Sequence, residues 1–73
     1  MDRKQREMFK YRLDELHRET GIPRKQAAAD LGMHYNTYGN YFHGTIPNLE
    51  NLAAIANYFN TTVDYLVGRT EER

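Results

Sequence analysis

A chain of 73 residues makes one domain, because a polypeptide this short buries only about 60% of the surface its unfolded form exposes. It has no cysteine, which excludes a disulfide framework and a cysteine-based zinc site, and its ten cations balance ten acids, which excludes recognition as a nucleic-acid binder by net charge. The longest apolar run, residues 52–56, falls far short of the roughly 20 residues a membrane helix needs, and the charged N-terminus has no signal-peptide h-region, so a cytoplasmic protein is expected.

The first segment, about Lys4 to Glu19, is charged at most positions but sets Phe9, Leu13 and Leu16 at i, i+4 and i+7, which predicts a helix with one buried stripe. Gly21 suits a left-handed stop, and Pro23 is at home in the first turn of a new helix. Arg24 to Leu31, with Ala27, Ala28, Ala29 and Leu31, predicts a short second helix closed by Gly32. Tyr35 to Phe42 forms the third, with Tyr38 and Tyr41 on its inner face and Gly39 inside it at a cost of about 1 kcal/mol. Asn48 caps a fourth helix whose stripe reads Leu49, Leu52, Ala56 and Phe59, and Thr62 caps a fifth that ends at Gly68. No strand alternation or repeat occurs. The expectation is a compact all-α fold of five helices over residues 1–73, with 1–5 as an N-terminal arm and 69–73 as a C-terminal tail. Phe9, Leu13, Leu16, Ala28, Leu31, Met33, Tyr38, Leu49, Leu52, Ala56, Phe59 and Leu66 make its core.

The charges are unevenly spread. Residues 1–25 hold eight of the ten cations against five acids, and residues 26–68 contain no Lys or Arg. Three histidines invite a metal reading, but no pair of His17, His34 and His43 has the spacing of a helical metal site. No Ser-His-Asp order or Gly-rich loop after a strand stands out, so neither an enzyme, a cofactor nor a small-molecule ligand is expected.

The second helix, turn and third helix form a unit. Ala28 supplies the small residue where two steeply crossed helices meet, Gly32 the turn, and Ala27, Leu31, Met33, Tyr38 and Tyr41 the inward anchors. This unit resembles the helix-turn-helix of the phage repressor and Cro (XRE-like) family, and the resemblance runs from about Phe9 to Gly68. Thr20 to Ala28 is similar to that family's opening of its second helix. Pro47-Asn48-Leu49-Glu50-Asn51-Leu52, Ile55 to Asn60, and Val63-Asp64-Tyr65-Leu66-Val67-Gly68 are similar to its fourth and fifth helices.

The resemblance implies a lambda-repressor-like domain that binds double-stranded DNA as a homodimer and regulates transcription. The start of the third helix would read base edges, and flanking segments would hold phosphates. By position, Tyr35, Asn36, Thr37, Asn40 and His34 become base-reading candidates, and Arg24, Lys25, His43 and Thr45 phosphate candidates. An Asn amide suits the N6 and N7 edge of adenine. Tyr65, Leu66 and Val67 are expected at the dimer interface, being more apolar than so short a helix buries alone. Where the family pairs an Arg of its first helix with a Glu at the end of its third, this chain has His17 and Phe42, so an imidazole-aromatic contact is expected. The neutral charge and aromatic third helix also suit a second class of function, a protein-interaction module of antirepressor or antitoxin type on the same scaffold.

Overall fold

The computed structural model describes residues 1–73 as five α-helices: α1 (Arg3–Thr20), α2 (Arg24–Leu31), α3 (Tyr35–Asn40), α4 (Leu49–Tyr58) and α5 (Val63–Leu66), with a 3₁₀ turn over Tyr41–His43. There is no strand, and no helix is long and apolar enough to cross a membrane.

The helix α1 begins inside the stretch expected as an arm. Asp2 and Gln5 form a reciprocal capping box, with the Gln5 N–H donating to Asp2 Oδ1 at 2.9 Å and the Asp2 N–H to Gln5 Oε1 at 3.2 Å. Gly21, at φ 72°, ends the helix in the left-handed conformation, where a Cβ would be strained. Asn48 and Thr62 cap α4 and α5 as expected, accepting from the N–H groups of Asn51 at 2.8 Å and Tyr65 at 3.1 Å. The α-helical part of α3 is shorter than predicted. It tightens into the 3₁₀ turn after Asn40, whose carbonyl accepts the Thr45 N–H at 3.3 Å as the chain turns away through Gly44.

Phe9, Leu13, Tyr38, Ile55 and Leu66 are fully enclosed and define the core, joined by Leu16, Ala27, Ala28, Tyr41, Phe42, Leu52, Ala56 and Val67. Each large aliphatic or aromatic side chain buried here contributes about 1.5–3 kcal/mol relative to exposure. Leu31, Met33 and Phe59 pack at its rim. Leu49 does not enter the core and is 75% exposed, because the buried stripe of α4 runs through Leu52, Ile55 and Ala56 and leaves its first residue beyond the covering helices.

Tyr65, Leu66 and Val67 likewise do not face outward. They are 5%, 0% and 4% exposed within the single chain, since α1 and α4 both pack on α5 and together enclose it. The Tyr65 ring lies under the Arg12 guanidinium at 4.2 Å, and its hydroxyl donates to Glu15 Oε1 at 2.8 Å. Their apolarity is used inside the domain, which removes the reason for placing them at a dimer contact. Arg12, itself only 8% exposed, donates to the carbonyls of Tyr65 and Thr70, the latter at 2.6 Å. It thereby ties α1 to the C-terminal end of α5, where the Tyr65 carbonyl also accepts the Gly68 N–H at 3.1 Å, and to the chain beyond it at Thr70.

Candidate nucleic-acid interface

The short helix α3 is set in place by its inner face. Tyr38, 0% exposed, meets Tyr41 and Phe42 in edge-on contacts with centroids 6.0 and 5.6 Å apart. Its hydroxyl reaches His17 on α1 at 2.6 Å, and the other ring nitrogen of His17 reaches the Ile22 carbonyl at 2.7 Å. A carbonyl only accepts, so His17 Nδ1 carries the proton and Nε2 accepts from the Tyr38 hydroxyl. One neutral imidazole thus ties α1, the turn before α2, and α3 together.

The expected His17–Phe42 contact is present, with ring centroids 5.3 Å apart, and Phe59 closes the other side at 5.0 Å. Burial pushes the His17 imidazole below its ordinary value of 6.5, outweighing the Ile22 hydrogen bond that raises it, and burial also drives the Tyr38 phenol well above its ordinary range. The hydrogen-bonded role of His17 is what sequence reasoning missed. Nothing in a linear spacing indicates where the Tyr38 hydroxyl will end up.

The outer face of α3 carries the base-reading candidates. His34, Tyr35, Asn36, Thr37 and Asn40 are all exposed, Tyr35 by 50%. His34 is also the N-cap of α3, its Nδ1 accepting the Asn36 N–H at 3.2 Å, which leaves Nε2–H as the donor turned to solvent. The side chains of Asn36, Thr37 and Asn40 make no hydrogen bond within the chain, and their donors and acceptors are free for a partner.

The phosphate candidates precede and follow α3 along the chain. Arg24 and Lys25 are exposed in the first turn of α2, and His43 and Thr45 are exposed after α3. Arg24 is brought to the far end of α3, its guanidinium 3.7 Å above the Phe42 ring. Pro23, the N-cap of α2, has no side-chain oxygen, so α2 alone among the five α-helices lacks a side-chain cap on its first-turn N–H groups. That end of the helix is a ready acceptor of anions. No group of three or more His, Cys, Asp or Glu side chains is placed to hold a metal ion.

Comparison with known proteins agrees with this arrangement. A family model described as helix-turn-helix matches residues 13–66, well over half of the chain. Among curated proteins the chain is 38% identical over 63 residues to the HTH-type transcriptional regulator AnsR of Bacillus subtilis (strain 168), covering 85% of this chain and 54% of that protein. It is 33% identical over 61 residues to the HTH-type transcriptional regulator ImmR of the same organism, covering 82% of this chain and 48% of that protein. The chain therefore spans about half the length of the curated relatives it matches. No solved structure matches significantly. With the matched residues running from Leu13 on α1 to Leu66 at the end of α5, and the Gly32 turn between α2 and α3, the chain belongs to the XRE-like helix-turn-helix family.

Proposed function

We propose that this chain is a cytoplasmic, sequence-specific DNA-binding transcriptional regulator that lays α3 in the major groove and binds a two-fold operator as a homodimer. The observation that carries the reading is the outer face of α3, where Asn36, Thr37 and Asn40 present unengaged amide and hydroxyl groups on a helix rigidly held from behind by Tyr38. Asn36 and Asn40 specify adenines through paired hydrogen bonds to N6 and N7, and Tyr35, Thr37 and the His34 Nε2–H supply neighbouring contacts. Arg24, Lys25 and the open first turn of α2, together with His43 and Thr45 after α3, grip phosphates. Two curated relatives named as transcriptional regulators support the same reading.

Pairing of two chains sets the half-sites one turn apart, about 34 Å between recognition helices. Since Tyr65, Leu66 and Val67 are enclosed, the large apolar side chains left outward for such pairing, apart from Tyr35 on α3, are Met1, Tyr11 and Leu49. The test is selection of bound duplexes from a random pool at low salt, followed by sedimentation on the selected site. The expected result is a two-fold sequence carrying two chains. One chain per duplex removes the dimer, and no enriched duplex at all transfers the reading to a protein-interaction module.

A further inference from the structure

Arg24 and Lys25 are the only cations on α2 and α3. How Arg24 is held therefore bears directly on DNA affinity. Its Nη2 lies 3.7 Å from Asp14 Oδ1 on α1, while the guanidinium lies 3.7 Å above the Phe42 ring. Asp14 is also ion-paired with Arg18, whose Nε is 3.2 Å from Oδ2, so one carboxylate stands between two cations. The groove alongside repeats the pattern, since the Lys10 ammonium that lines it is 3.4 Å from Glu7.

The geometry points to Asp14 as an affinity-limiting residue: we propose that its carboxylate holds Arg24 against the domain and offsets the charge that an approaching phosphate would meet. A phosphate next to a free guanidinium meets a full positive charge, whereas one next to the Asp14–Arg24 pair meets a cation with an anion behind it. The two side chains are 42% and 44% exposed, so water and salt compete with the pair and DNA can draw Arg24 away from it. The Phe42 ring supplies the face on which the guanidinium rests when no phosphate is present. Asp14 thus lowers binding to DNA of any sequence and leaves discrimination to α3. The idea rests on the DNA-binding reading above.

The test is a double-mutant cycle on a duplex of random sequence, using wild type, Asp14→Asn, Arg24→Gln and the double variant, with circular dichroism to show that all four retain the same helical content. Asp14→Asn is expected to bind about two- to fivefold more tightly per protomer, the equilibrium equivalent of one exposed ion pair. Its dependence of log K on log salt should steepen by up to about 0.9 per protomer. In the Arg24→Gln background the same substitution should leave affinity unchanged. Wild-type binding that Asp14→Asn leaves unaltered or weakens overturns the proposal alone. So does a full gain in the Arg24→Gln background, which would assign the effect to Arg18 or to net charge. Absence of binding by all four chains to random DNA overturns the proposal, and the DNA reading falls with it where selection also enriches no duplex.

Discussion

Replacing Tyr38 with Phe removes one oxygen from the support of α3 and leaves its ring in place. The lost hydroxyl is the donor to His17 Nε2 at 2.6 Å, in a spot where Tyr38 is 0% and His17 7% exposed. Water cannot replace it without opening the aromatic cluster. A buried acceptor left without its donor costs about 1–3 kcal/mol. In a domain of this size each kcal/mol lowers the melting temperature by about 4–8 °C.

The same site fixes a pH dependence. Above about pH 6.5 the His17 imidazole is neutral in both folded and unfolded chains, so it adds no pH-dependent term. Below that value the unfolded chain takes up a proton that the folded chain resists, because burial holds the folded value below 6.5. Stability therefore falls with decreasing pH, by up to about 1.4 kcal/mol per pH unit, until the folded value is reached. A His17→Phe variant should be less stable near neutral pH, with the Ile22 carbonyl and Tyr38 hydroxyl unpaired, yet should follow a flatter acid limb. Urea unfolding followed by circular dichroism at a series of pH values from about 7.5 to 5 measures both effects. Tyr38→Phe as stable as wild type, or a wild-type stability that holds level through this range, would refute the reasoning.

Arg12→Met keeps the stem length but removes the guanidinium that donates to the Tyr65 and Thr70 carbonyls, leaving Tyr65 with only the Gly68 N–H and Thr70 with no donor, and is expected to cost about 1.5–3 kcal/mol by urea unfolding. The glycines at 39 and 68 should respond with opposite signs to alanine. A Cβ at Gly39 meets nothing within 4 Å, so Gly39→Ala should stabilise the helix by about 0.5–1 kcal/mol, whereas one at Gly68 would stand 2.8 Å from Met8 Cγ at φ +82° and should lower the melting temperature. Binding to a selected operator should have a shallow salt dependence, with a slope of about −4 to −5 for a dimer using two or three cations per protomer. A slope near −10 would mean that the cations of α1 wrap the duplex as well.

The helices were legible because their signals are local. The Phe9, Leu13 and Leu16 stripe, the Asn48 and Thr62 caps and the Gly21 and Gly32 stops each act within a few residues, and all appear where the sequence puts them. Errors arose where a local signal had two tertiary outcomes. Leu49 keeps the period of α4 and still lies beyond its cover, and Leu66 reads as surplus apolar surface until α1 and α4 close on it. Arg12 could not be distinguished from the other cations of the first helix, because its burial depends on α5, more than fifty residues away. On α3 the exposed positions followed from periodicity and from the family resemblance. The parking of Arg24 on Phe42 and Asp14 did not, since three separate elements meet there.

The most direct test of the central claim, that α3 reads bases through its amide side chains, is the affinity of Asn36→Ala and Asn40→Ala for the selected operator and for random DNA, measured side by side at one salt concentration. Each substitution is predicted to cost about 1–3 kcal/mol on the operator, to relax selection at one base pair, and to leave binding to random DNA unchanged. Equal losses on both duplexes would contradict the account and make these residues backbone contacts.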